Sequence, residues 1–200
     1  MSNDKVDQKE ILVNYFSEKF GLKQNELDIF KATDIKFYKG GEVLFRDGQN
    51  TDKCYFVIKG CLRQYFVNEE GNEVTINFFT EFQPVTVITV SKTCNNYFLQ
   101  CIEDTYIAAG DAQMTEKYYR NFPNIESVSR QITEEHLMNT QERITKLLTM
   151  SPSERYLDLI KTQPELLQRI PQNLIAGYLG VQPESLSRIK KKIAEKRKMQ

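Results

Sequence analysis

Two hundred residues, 40% of them hydrophobic, allow one large or two small domains with real cores. Basic and acidic residues balance at 27 each, yet from Ser151 onward ten basic residues face five acidic ones while the remainder holds 17 against 22; an acidic body with a basic end suits contact with phosphate. No apolar run approaches the roughly 18 residues that span a bilayer, and the opening MSNDKVDQKE lacks the apolar centre of a secretory signal, which excludes a membrane-spanning helix and makes a cytoplasmic location the expectation.

The first predicted element is an amphipathic helix over Gln8–Phe20, where Ile11, Leu12, Tyr15, Phe16 and Phe20 recur at helical spacing. From Ile35 the texture changes to short β-rich runs: IKFY, EVLF, CYFVIK, CLRQYFV, EVTINFF, VTVITV, YFLQCI and TYIAA. Gly40, Gly41, Gly48, Gly60 and Gly71 punctuate them, and Glu69-Glu70-Gly71-Asn72 reads as a hairpin loop. Short strands at this spacing predict a sandwich or jelly roll. Cys54, Cys61, Cys94 and Cys101 lack the tight spacing of zinc or iron–sulfur ligands and read as small buried apolar residues. No metal or other cofactor is expected.

Asp111 is expected to cap a short helix that runs to Asn121. A stretch free of Pro and Gly, from Asn124 to Met150, predicts one long helix. Its Ile125, Val128 and Ile132 fall at a, d and a spacing, Glu135 and Asn139 interrupt that seam, and Ile144, Leu147 and Leu148 resume an apolar stripe. His136, the single histidine, reads as a packing or surface residue of this helix. Ser151-Pro152-Ser153-Glu154 reads as a capping box that opens the next helix, Glu154–Lys161.

The stretch Ile170–Ile193 predicts two short helices joined by a glycine turn. Ala176 supplies the small contact such a unit needs, Gly180 the turn, and Ile175, Leu179, Val181, Leu186 and Ile189 the apolar set. Pro183 suits a first helical turn, where its missing N–H would be unpaired anyway. Gly177, inside the first of the two helices, costs about 1 kcal/mol relative to Ala.

The segment GVQPESLSRIKKKI resembles the recognition helix of the Crp/Fnr superfamily of bacterial transcription regulators, whose signature carries Glu, Ser and Arg where Glu184, Ser187 and Arg188 stand. FYKGGEVLFRDGQNTDKCYFVIKG resembles the start of that family's cyclic-nucleotide-binding-like β-roll, and LRQYFVNEEGNEVTINFF the hairpin that follows. The matches occur in the family's order along nearly the whole chain. They imply an α+β protein with an N-terminal β-roll (jelly roll) at residues 1–122, a connecting dimerisation helix at 123–150 and a helix-turn-helix DNA-binding domain at 151–200. They also imply a sequence-specific transcription regulator rather than an enzyme, acting as a homodimer on double-stranded DNA, with RNA polymerase a further candidate partner and a small-molecule effector unidentified. Gln182, Glu184, Ser185, Ser187, Arg188, Lys191 and Lys192 are the expected DNA contacts, Arg188 being the guanine reader. Ile125, Val128 and Ile132 are the expected dimer-helix residues.

Departures from the family fall in the ligand cassette. Nucleotide-binding members place a Gly-Glu pair at the ribose and an Arg-Ser pair at the phosphate. The aligned positions, Thr86-Val87 and Asn95-Asn96, lack both charges; with Tyr97 they mark the expected effector pocket. Removing one partner of a buried ion pair costs about 3–5 kcal/mol, so neither cyclic AMP nor cyclic GMP is expected to bind. Phe78, Phe79, Phe82, Tyr97 and Phe98 read as sandwich core, or as the lining of an apolar pocket. A metal-dependent jelly-roll enzyme requires ligands that no strand supplies, since no strand carries a histidine. The remaining rival is a degenerate roll that binds a protein partner and not DNA.

Overall fold

The computed structural model describes residues 2–45, 53–85 and 97–198. The chain forms two compact units. One comprises residues up to Gln64 with Phe78–Leu137, the other Tyr65–Asn77 with Met138–Gln200.

The first unit opens with two helices, α1 (Ser2–Phe20) and α2 (Gln24–Ala32). α1 starts six residues earlier than apolar spacing predicts, and α2 lies in a stretch assigned no element from sequence. Gly21, at φ +63°, turns the chain out of α1. The buried Glu26 carboxylate then accepts from the Lys23 N–H at 2.7 Å and from the Asn124 side chain at 2.7 Å, which starts α2 and holds it to a later helix. Strands follow as β1 (Asp34–Tyr38), β2 (Val43–Phe45), β3 (Lys53–Lys59), β4 (Leu62–Val67), β5 (Glu73–Phe79), β6 (Pro84–Val85), β7 (Tyr97–Cys101) and β8 (Thr105–Asp111). They form two four-stranded sheets, β1-β8-β3-β6 and β2-β7-β4-β5, so the expected α+β class with a β-roll is what the chain adopts. Asp111 ends β8 and immediately precedes the next helix, α3 (Ala112–Asn121). Of the predicted VTVITV run only Val85 falls among the described residues.

Two apolar clusters hold this unit together. Phe45, Val57, Leu62, Phe79, Val85, Leu99, Cys101 and Ile107 fill the roll. Leu12, Phe16, Leu22, Leu27, Ile35, Ile58 and Ala108 make the second, which Ile125 and Ile132 complete from the long helix α4 (Pro123–Thr149). Of the aromatic residues read from sequence, Phe78 and Phe79 are buried and Phe98 is half-buried, and half-buried Phe82 stacks flat on Tyr15 of α1 at 4.0 Å between centroids. Phe82 is held at φ +63°, a strained conformation for a bulky residue, while its N–H bonds the Val57 carbonyl at 2.8 Å. Cys61 and Cys101 are buried, and burial pushes the Cys101 thiol up to about 12, which fits small apolar residues at these two positions; Cys94 lies outside the described residues. His136 is half-buried with its ring against Phe79 at 5.6 Å, and burial holds its pKa below the ordinary value.

The second unit contains the tip of the β4–β5 hairpin, the last turns of α4 and four further helices: α5 (Pro152–Thr162), α6 (Leu166–Arg169), α7 (Gln172–Tyr178) and α8 (Pro183–Lys198). The hairpin loop is the one expected. Asn68 accepts the Gly71 N–H on its carbonyl at 3.0 Å, and its side chain accepts from Asn72 N at 2.8 Å, with Gly71 at φ +82°. The capping box also forms: Ser151 Oγ accepts from Glu154 N at 3.3 Å and Ser151 N donates to Glu154 Oε2 at 2.7 Å. Tyr156, Leu159, Leu166, Ile170, Ile175, Ala176, Leu179 and Leu186 are buried. Among the described residues no helix is long and apolar enough to cross a membrane.

Candidate nucleic-acid interface

α7 and α8 form the bihelical unit the sequence predicts. α7 ends as the Leu179 N–H bonds the Ile175 carbonyl and the Val181 N–H bonds the Ala176 carbonyl at 3.0 Å. Gly180 takes φ +68°, the left-handed conformation at which the chain reverses. Ala176 is fully buried beside Ile175, and Leu179 and Leu186 are buried with them, whereas Val181 and Ile189 of the expected apolar set are half-buried.

The other side of α8 is polar and open. Glu184, Ser187, Arg188 and Lys191 are all exposed, and their spacing places them within an arc of about 100° opposite Leu186. Gln182 and Lys192 are exposed at the edges, and Ser185 is half-buried. Within this face Arg188 Nη2 donates to Ser185 Oγ at 3.2 Å, which steadies the guanidinium without burying it. Ser187 Oγ is turned back onto the Pro183 carbonyl at 3.1 Å. The three consecutive lysines separate: Lys190 reaches Gln172 of α7 at 2.6 Å and ties the two helices, whereas Lys191 and Lys192 stay exposed.

The turn between the helices is held by residues that sequence inspection passed over. Arg143 of α4 donates from Nη2 to the Tyr178 carbonyl at 3.1 Å, and its guanidinium lies over the Tyr178 ring at 4.3 Å. Arg155 of α5 donates from Nε to the Leu179 carbonyl at 3.0 Å and from Nη1 to the Met150 carbonyl at 2.6 Å. Gly177 faces the hairpin, where a Cβ would sit 3.6 Å from Thr75 Oγ1. A single Arg in a helical pattern carries no periodic signal, so only the residues' neighbours reveal these roles.

Other expected positions are distributed differently. Thr86, Val87, Asn95 and Asn96 lie outside the described residues, and Tyr97 is exposed at the start of β7. Ile125 and Ile132 are 6% and 8% exposed, within the chain's own core, and Val128 packs against that core. The apolar side chains that α4 leaves open lie further along it: Leu137, Met138, Ile144 at 49% and Leu148 at 81%.

Comparison with known proteins bears on the fold and on the kind of protein this chain is similar to. Residues 35–120 match the cyclic nucleotide-binding domain. The chain is 21% identical over 185 residues to the anaerobic regulatory protein of Haemophilus influenzae, spanning 85% of this chain and 71% of that one. It is 25% identical over 164 residues to the transcriptional activator protein Anr of Pseudomonas protegens, spanning 76% and 66% of the two. Among solved structures, the c-di-GMP-responsive global regulator CLP of Xanthomonas campestris shares the fold at a TM-score of 0.67 and 17% identity, over 87% of this chain and 93% of that one. The roll is thus similar to the cyclic nucleotide-binding domain, and most of the chain is similar to transcription regulators of the Crp/Fnr type.

Proposed function

We propose that the chain regulates transcription by laying the N-terminal half of α8 in the major groove of double-stranded DNA. The observation that carries this reading is the exposed face of Glu184, Ser187, Arg188 and Lys191 on a helix whose opposite side is anchored by buried Leu186. Arg188 has the fork geometry to take guanine O6 and N7 together. Glu184 is placed to accept from a cytosine amino group. Ser185, Ser187 and Gln182 sit near the helix start, where flanking bases and phosphates are reached. Lys191 and Lys192 supply phosphate contacts.

The active species is a homodimer with two recognition helices about 34 Å apart. Ile125, Val128 and Ile132 are occupied by the chain's own core, so the seam falls on the later part of α4. There Gln141, Ile144 and Leu148 repeat at the three- and four-residue spacing of a coiled coil. The roll gives no cyclic AMP response, because the positions that align with the phosphate-binding Arg-Ser pair are Asn95 and Asn96.

Selection of oligonucleotides from a random pool, followed by mobility shift, tests the reading. A two-fold symmetric consensus bound at least about 10³-fold tighter than scrambled duplex is the expected result. Recovery of no consensus would refute DNA recognition and leave the roll as a protein-interaction module.

A further inference from the structure

Two helices of the second unit end close together, and each leaves carbonyls that its own residues do not satisfy. α4 ends with the carbonyls of Leu147 and Met150, α7 with those of Tyr178 and Leu179. Helix C-termini carry partial negative charge, so two that converge repel unless a cation lies between them. α7 has no basic residue in its own last turn. The Lys146 ammonium at the end of α4 is engaged elsewhere, by Asp158 at 2.8 Å and Glu142 at 2.7 Å.

Arg155 fills the gap. Its Nε bonds the Leu179 carbonyl at 3.0 Å while Nη1 bonds Met150 at 2.6 Å and lies 3.4 Å from Leu147, so one planar guanidinium joins both helix ends. Arg143 adds the neighbouring carbonyl, Tyr178, at 3.1 Å and rests on that residue's ring. Gly180 follows Leu179, and α8 starts three residues further on at Pro183. Leu147 Cδ2 and Arg155 Nη2 lie 3.6 and 3.8 Å from the position a Cβ would take at Gly180, so the turn seats directly on the joint.

We infer that Arg155 and Arg143 are positioning residues for DNA recognition, forming a two-arginine joint that fixes the direction of α8 relative to the end of α4. The inference rests on the reading of α8 as the DNA helix and of α4 as the dimer helix. In a dimer this joint sets the distance between the two recognition helices, and hence which half-site spacing is read. It touches no base, so it governs spacing and leaves base choice alone. A lysine keeps the charge but loses the fork that spans two carbonyl groups.

The test is a spacer series. The full-length protein and the variants Arg155→Lys, Arg143→Lys and Arg155→Ala are titrated by fluorescence anisotropy against the selected operator. Half-site spacing is varied by one base pair either way, and a base substitution is tested at the guanine assigned to Arg188. The wild type should prefer its own spacing sharply. The lysine variants should lose about tenfold of that preference while keeping wild-type discrimination at the guanine. Thermal melts of each variant identify loss of fold; if Arg155→Ala does not fold, the two lysine variants carry the test. Lysine variants that keep the wild-type spacing preference, or that lose base discrimination along with it, overturn the joint while DNA recognition stands. A wild type without any sequence preference overturns DNA recognition, and the joint with it.

Discussion

Replacing Arg188 by Ala separates base reading from phosphate attraction more cleanly than any other change on α8. The side chain is exposed, and its bond to Ser185 Oγ at 3.2 Å joins two groups at the surface. Its removal strands no buried polar atom, so stability should change by no more than about 0.5 kcal/mol. A bidentate guanine contact carries about 1–3 kcal/mol of discrimination. A symmetric dimer loses two, about 2–6 kcal/mol in all, which is about 30-fold to about 10⁴-fold in Kd. Binding to scrambled duplex should weaken far less. Lys191→Ala, one turn further along the same face, should behave oppositely: affinity falls alike on all sequences, and the slope of log K against log salt drops by about one per half-site. Fluorescence anisotropy on matched and scrambled duplexes across a salt series measures both. If the two variants show the same ratio of specific to non-specific affinity, the division of labour between Arg188 and Lys191 is wrong.

Two glycines should respond with opposite signs. At Gly177 a Cβ would meet Thr75 atoms only at 3.6 to 3.9 Å, an ordinary contact, so Gly177→Ala should stabilise the protein by about 1 kcal/mol through helix propensity; a lowered melting temperature would show that the hairpin leaves no room for the methyl group. At Gly60, φ is +110° and a Cβ would lie 2.5 Å from Thr105 Oγ1 and 2.8 Å from the Asp104 carbonyl, so Gly60→Ala should destabilise the roll by about 3 kcal/mol or more in chemical denaturation. Burial depresses the His136 pKa below 6.5, so the unfolded chain takes up that proton first as pH falls. The stability loss therefore begins near pH 6.5 and grows down to the folded pKa. His136→Phe should flatten this part of the curve in urea unfolding, and parallel wild-type and variant curves would contradict the burial argument. Titration calorimetry with cyclic AMP and cyclic GMP should show no binding, whereas micromolar affinity for either would mean that another cation replaces the missing arginine.

Much of the proposed interface was legible in the sequence because an amphipathic helix after a glycine turn announces itself locally. Leu186 and Ile189 against Glu184, Ser187 and Arg188 is a pattern set by a 3.6-residue period, and Gly180 marks the turn by the conformation it alone takes easily. The burial of the first part of α4 was not legible in the same way. Ile125, Val128 and Ile132 have a spacing that serves a twin helix and the chain's own core equally well; α1 and α2, a hundred residues earlier, supply the cover that decides between them. α2 itself escaped notice because its start depends on the Glu26 carboxylate, whose second partner is Asn124.

The sequence alone therefore determined most of the elements, the order of roll and helix-turn-helix, and the exposed polar face of α8, since each is written in residues within a few positions of one another. The tertiary structure decided which lysine points outward, why Gly177 can sit beside Thr75, and that Arg143 and Arg155 share the carbonyls at the turn. Those outcomes depend on groups brought together from distant parts of the chain, and neither propensity nor periodicity records such distances.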